Sequence, residues 1–192
     1  MKFIDKMLQK WRISKALRHI PASSRVLDIG CFYGELFVRA GSRLRGGLGI
    51  DPTLTDSVNK NPCDNVTLIK GIFPEDMPPE AENFDIITCL AVFEHIPNET
   101  LSDFITACHD RLNPDGRIIL TVPSPFVDAI LAVLLKMRLI DGMSLDEHHG
   151  LLVEDIPALF EKGGFALIKK HKFQLGLNNI FVFQKGELPM NS

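Results

Sequence analysis

The feature that most constrains this chain is the run Arg25-Val-Leu-Asp-Ile-Gly-Cys-Phe-Tyr-Gly-Glu-Leu-Phe37. Val26, Leu27 and Ile29 make a short apolar strand, Gly30 and Gly34 punctuate a turn, and a helical pattern follows. A strand that passes through glycine into a helix is the opening unit of an open α/β sheet, whose ligand site lies at the carboxyl edge of its strands. Glycine at that edge lets backbone approach a ligand that a Cβ would exclude. Twenty-one residues beyond Gly30, the apolar stretch Leu48-Gly49-Ile50 ends in Asp51. An acidic side chain at that distance accepts the hydroxyls of a ribose; the other reading of Asp51 is an N-cap carboxylate before Pro52. Together these features point to a nucleoside-containing cofactor.

The rest of the chain continues the alternation. Strands are expected at about 25–30, 46–51, 66–70, 84–90 and 117–122, with helices at about 34–41, 98–112 and 153–162. Strands alternating with helices predict a parallel sheet with right-handed crossovers. Continuous apolar runs such as Ile118-Ile119-Leu120 suit a sheet covered on both faces. The final two strands, Phe165 to Phe173 and Asn178 to Gln184, are joined by a linker too short for a crossover helix, so they pair antiparallel. The expected fold is therefore α/β: a Rossmann-like, doubly wound, mostly parallel seven-stranded sheet with an antiparallel C-terminal hairpin. At 192 residues the chain suits one domain, preceded by an N-terminal helix over 1–20 and carrying an insertion over 124–150.

Composition removes several function classes. A net charge of −3 and an isoelectric point near 6.1 argue against a nucleic-acid binder that relies on a broad basic surface. The four cysteines, Cys31, Cys63, Cys89 and Cys108, lack C-x-x-C spacing, which suits buried thiols in a reducing cytoplasm rather than disulfides. The histidines lack a ligand-like spacing, so no metal is expected. At the N-terminus, Phe3, Ile4, Met7, Leu8 and Trp11 recur at helical spacing, continued by Ala16, Leu17 and Ile20, with lysines and arginines spread between them. This predicts an amphipathic helix with a basic outer face, packed on the domain or over the cofactor; a membrane-surface role is the second reading. It is not the pattern of a signal peptide.

The dinucleotide fingerprint G-x-G-x-x-G fails at its third glycine whether started at Gly30 or at Gly47. The pattern D/E-x-G-x-G-x-G fits Asp28, Gly30 and Gly34, with Phe32 standing where a glycine is expected. This resembles motif I of the class I S-adenosylmethionine-dependent methyltransferases, and the resemblance extends over roughly Val26 to Lys185, terminal hairpin included. Leu90-Ala-Val-Phe-Glu-His-Ile-Pro97 is similar to the family's motif after the fourth strand, and Asp146-Glu-His-His-Gly resembles the ubiquinone-type O-methyltransferase relatives, where a histidine precedes the next helix.

The resemblance implies S-adenosyl-L-methionine as cofactor, S-adenosyl-L-homocysteine as product and a small-molecule acceptor. It implies that backbone of Gly30, Cys31, Phe32, Tyr33 and Gly34 lines the methionine and ribose, with Phe32 narrowing the room. Asp28 either meets the amino group through water or braces the loop. Asp51, followed by Pro52, holds the ribose. Ile72 and Phe73 sandwich the adenine, with a backbone amide reading its ring, unless Phe73 is core. Leu90 and Ala91 pass the methionine end. Glu94 and His95 either cap and brace their loop or face the methyl-transfer centre. His148 or His149 is either a general base or a loop brace. The insertion over 124–150 reads as a lid over an apolar acceptor, with membrane or partner contact second. The rival class is a non-catalytic module of the same fold that binds the cofactor or its product, or serves as a scaffolding subunit.

Overall fold

The computed structural model describes residues 3–55, 61–124 and 152–188. Helix α1 (Phe3–Leu17) leads into β1 (Arg25–Ile29), α2 (Glu35–Ala40), β2 (Gly46–Asp51), β3 (Val66–Lys70) and β4 (Phe84–Leu90). Helix α3 (Leu101–Arg111), β5 (Leu112–Pro123), α4 (Ile156–Lys162), β6 (Phe165–Phe173) and β7 (Asn178–Lys185) follow. The strands form one seven-stranded sheet in the order β3-β2-β1-β4-β5-β7-β6. β1 to β5 run parallel, β7 is antiparallel to β5, and β6 is antiparallel to β7. The chain thus reverses direction between β1 and β4, the topological switch point where open α/β sheets bind ligands.

Strand alternation divides the apolar residues between two layers. On one face Val26, Ile86, Ile119, Ile180 and Val182 pack with Ile13 and Ala16 of α1, Ile20, and Leu36 and Phe37 of α2. On the other, Leu27, Ile87, Ile118, Leu120, Phe181 and Phe183 pack with Phe104 and Ile105 of α3 and Ile156 and Phe160 of α4. β1, β2 and β4 are buried nearly throughout because both faces are covered, whereas β6, at the edge, is exposed at every position between Phe165 and Phe173.

Two expectations need adjustment. The turn Asn113-Pro-Asp-Gly116 does not precede β5 but lies within it: pairing with β4 jumps from Leu112 to Arg117, so the four residues stand out as an irregularity. In α1 the inward positions are Ile13 and Ala16, while Met7 (46% exposed) and Trp11 (41%) point outward. Met7 and Trp11, though apolar and at helical spacing, therefore belong to a surface and not to the core.

Phe160 is fully buried, stacked on Phe183 with ring centroids 4.4 Å apart and in contact with Phe93 and Phe165. It fastens the short helix α4 to the hairpin. Phe160→Ala is expected to destabilise the protein by about 3–5 kcal/mol, read as a lower denaturation midpoint in urea with an unchanged slope.

Candidate functional site

The carboxyl ends of β1, β2 and β4 meet at one edge of the sheet, and the loop after β1 is shaped by contacts to both neighbours. Gly30 has φ +73°, and its amide donates to the Ile50 carbonyl at 2.9 Å. A Cβ at Gly30 would lie 2.2 Å from Val92 Cγ2, so no larger residue fits without displacing the loop after β4. Phe32 follows with φ +50°, the left-handed conformation a glycine adopts freely. Its amide donates to Asp51 Oδ2 at 2.7 Å. Phe32 therefore reproduces the backbone path expected of the missing glycine. Tyr33 is exposed, with its ring 4.0 Å from that of Phe32. Gly34 (φ +77°) caps α2, and its amide donates to the Cys31 carbonyl; the Cys31 thiol is buried.

Asp51 ends β2 and is only 6% exposed. Its Oδ1 accepts from the amide and hydroxyl of Thr53, at 2.8 and 2.5 Å, while Oδ2 accepts from Phe32. One carboxylate thus joins the loops after β1 and β2. A carboxylate offers about four lone-pair positions; the single bond to Oδ2 leaves one open, and the Thr53 hydroxyl can turn away to release another. Both readings of Asp51, loop cap and diol acceptor, are compatible with this geometry. Pro52 beside it is exposed.

Asp28 is 4% exposed, and Thr88 Oγ1 donates to its Oδ1 at 2.6 Å. Burial, against the help of that bond, raises its pKa to about 7. It lines a cleft of about 60 Å³ with Gly30, Leu90 and, from α1, Gln9, Arg12 and Ile13. Ala91 takes φ +59°, and its amide donates to the Thr121 carbonyl at 2.9 Å, tying the β4 loop to β5. Glu94 and His95 belong to a single 3-10 turn, Phe93–His95. Glu94 is buried, which lifts its pKa to about 7 in opposition to the Arg12 charge, and its Oε2 has no hydrogen-bond partner.

Beyond β3 the two adenine candidates separate. Phe73 is in the core, edge-on to Phe104 at 5.4 Å, whereas Ile72 is 58% exposed. The amide of Ile72 is taken by Asp76 Oδ2 at 2.8 Å, so it is not open to a ring nitrogen. Of the two readings of Phe73, adenine contact and core, the structure has the second, because the turn directs it inward, and Ile72 alone presents an apolar face. Asp28, Gly30, Cys31 and Leu90 are brought together, and Asp51 joins them through Phe32. His148, His149 and positions 125–150 of the insertion lie outside the described residues. Thr88, Thr53 and the α1 side chains Gln9 and Arg12 were not anticipated. Thr88 alone carried a signal, as a polar residue inside the apolar stretch of β4.

The protonation of Asp28 gives a pH test. Between about pH 4 and 7 the unfolded chain has released the proton that buried Asp28 retains, so the folded state loses stability as pH rises through that window. Asp28→Asn keeps an acceptor for Thr88 and removes the titration. Relative to the unmodified protein it is expected to gain on the order of 4 kcal/mol at pH 8 and nothing near pH 3.5, measured by urea unfolding at both pH values. Glu94, shifted in the same direction, leaves a residual slope in the variant.

A methyltransferase-domain family model matches residues 4–170. Among curated proteins, the ubiquinone biosynthesis O-methyltransferase of Pseudomonas syringae pv. tomato is 31% identical over 102 residues, covering 50% of this chain and 43% of that protein. The enzyme of the same name from Xanthomonas axonopodis pv. citri is 29% identical over 130 residues, covering 62% and 53%. The chain spans about half the length of these relatives. Among solved structures, magnesium protoporphyrin IX methyltransferase from Synechocystis PCC 6803 with bound S-adenosylhomocysteine superposes with a TM-score of 0.65 at 18% identity, over 97% of this chain and 89% of that one. The N-methyltransferase NodS from Bradyrhizobium japonicum gives 0.65 at 15% identity, over 95% and 99%. The match across most of its length establishes that this chain belongs to the methyltransferase-domain family, and its seven-stranded sheet and superposition on these structures give it the class I S-adenosylmethionine-dependent methyltransferase fold.

Proposed function

We propose that this protein is an S-adenosylmethionine-dependent methyltransferase acting on a small-molecule acceptor by in-line displacement. The observation that carries the reading is the buried Asp51 carboxylate, held at the end of β2 by Phe32 and Thr53 with lone-pair capacity remaining for a ribose diol. The cradle at Gly30, closed to any Cβ by Val92, supports the same reading. So does the cleft between α1 and the β1 loop, which Asp28 lines together with Gly30 and Leu90 and to which we assign the cofactor's amino-acid end. When bound, the cofactor supplies a methyl group already activated by its sulfonium.

The chain's own residues then hold and align. Asp51 fixes the sugar, Gly30 to Gly34 present backbone, and the Leu90–Ala91 segment borders the methionine end. Ile72 offers an apolar surface to the base. Asp28 and Glu94, each raised by burial to a pKa of about 7, carry less negative charge beside the reacting groups at neutral pH than ordinary carboxylates would. Alignment of this kind is worth roughly 7–11 kcal/mol of barrier in model systems. For an acceptor hydroxyl, His149 or His148 serves as the base, with His95 of the β4 loop as the third candidate. The curated relatives are named for O-methylation in ubiquinone biosynthesis; oxygen is accordingly the first acceptor atom to test, and an apolar acceptor the first class.

Asp51→Asn preserves an acceptor for the loop amides but removes the charge. Its affinity for S-adenosylhomocysteine should fall about 10–100-fold, in line with about 1.5–3 kcal/mol for a hydrogen bond to a charged group. Calorimetry checks this, and unchanged affinity would remove the ribose assignment. His149→Ala should slow methyl transfer from isotopically labelled cofactor to a phenolic acceptor pool while leaving S-adenosylhomocysteine affinity intact. A normal rate in that variant would exclude His149 as the base. Binding of the product with no labelled material formed from any pool would favour the non-catalytic module.

A further inference from the structure

The exposed face of α1 is used by neither the core nor the cleft. Ile13 and Ala16 turn to the sheet and Gln9 and Arg12 to the cleft, leaving Lys6, Met7, Lys10 and Trp11 on the solvent side. Met7 and Trp11 are 46% and 41% exposed and stand one turn apart, flanked by Lys6 and Lys10 at the same spacing. Among the described residues, no ion pair neutralises these lysines.

The basic character extends beyond the helix on both sides. Arg39 of α2 is exposed and donates to Ser14 on α1 at 2.9 Å. On the other flank lies β6, whose Lys169 and His171 pair with Val182 and Ile180. Those two residues belong to the core layer on the α1 side, so Lys169 and His171 project to that side as well. Lys15, Arg18, Arg117 and Lys169 all act electrostatically on His19, which places them within one neighbourhood. On the opposite layer the exposed acids Glu99, Asp103, Glu154, Asp155 and Glu161 are mixed with the exposed lysines Lys162 and Lys170, so the cluster of cations around α1 is local to that face.

We infer that the α1 face, with Lys6, Lys10, Met7 and Trp11 at its centre and Arg39 and Lys169 on its flanks, docks on an anionic lipid bilayer surface. Cations ringing an exposed tryptophan and methionine match a negatively charged headgroup layer with an apolar region beneath it. Nucleic acid would use the cations but gives no reason for Met7 beside Trp11 at their centre. Among the described residues no helix is long and apolar enough to cross a membrane, so the contact is with the surface. The inference does not depend on the cofactor or the acceptor.

Trp11 is the only tryptophan in the chain, so its emission reports the contact directly. With phosphatidylcholine vesicles containing about a third phosphatidylglycerol, a blue shift and co-sedimentation are expected, both reversed at high salt. Pure phosphatidylcholine should give neither. Lys6→Gln with Lys10→Gln should weaken partitioning about 25-fold, and Lys169→Gln about 5-fold, at roughly 1 kcal/mol per cation. Circular dichroism and thermal melting establish that these surface variants are folded. The proposal is overturned by no partitioning onto anionic vesicles, by equal binding to neutral ones, or by undiminished binding of the double variant. It is equally overturned if an RNA or DNA oligonucleotide binds while the anionic vesicles do not.

Discussion

The Asp51 carboxylate is the interaction on which the geometry of this edge depends. Two loops leave adjacent parallel strands, β1 and β2, with no backbone ladder to hold them beyond the sheet. The carboxylate joins them by accepting from Phe32 in one and Thr53 in the other. Charged acceptors make the stronger hydrogen bonds, and 6% exposure limits competition from water. The bond also stabilises Phe32 in a left-handed conformation that an ordinary side chain resists. A single side chain thus sets the opening of the cleft and occupies the position from which a ribose would be held.

Burial does the rest of the electrostatic work. Asp28 and Glu94 lie close to the same edge, and desolvation outweighs Thr88 for the first and Arg12 for the second. Two acidic groups that titrate near neutrality rather than near pH 4 lessen the negative charge gathered at this edge, where Asp51 already adds to the upward shift of Asp28. Thr88 serves Asp28 in either protonation state, since its hydroxyl donates to a carboxylate or a carbonyl oxygen alike.

Much of this was legible in the residues. The apolar runs of β1, β4 and β5 and the short link before β7 determine which strands are central and which pair antiparallel, and the sheet follows. Asp28, Gly30, Gly34 and Asp51 stand out because glycine and carboxylate at strand ends have few other uses. What was not legible depended on direction rather than pattern. Phe73 and Ile72 are neighbours of similar polarity, and only the turn braced by Asp76 sends one inward and the other out. Met7 and Trp11 satisfy helical periodicity as well as Ile13 and Ala16 do, but the sheet accepts one arc of α1 and leaves the other to solvent. Partners contributed from afar, Thr88 to Asp28 and Arg12 toward Glu94, carry little trace in a linear text.

The strand order has a consequence for biosynthesis. β7 leaves the ribosome after β6, yet it occupies the interior place between β5 and β6. Until it arrives, β5 has an unpaired outer edge and β6 has nothing to pair with. Phe181 and Phe183, which complete the aromatic layer around Phe160, are also missing. Any form of the chain that lacks a docked β7 therefore has an open seam in its sheet, a state in which bare strand edges recruit neighbours. Insertion of β7 between β5 and β6 is what closes that seam.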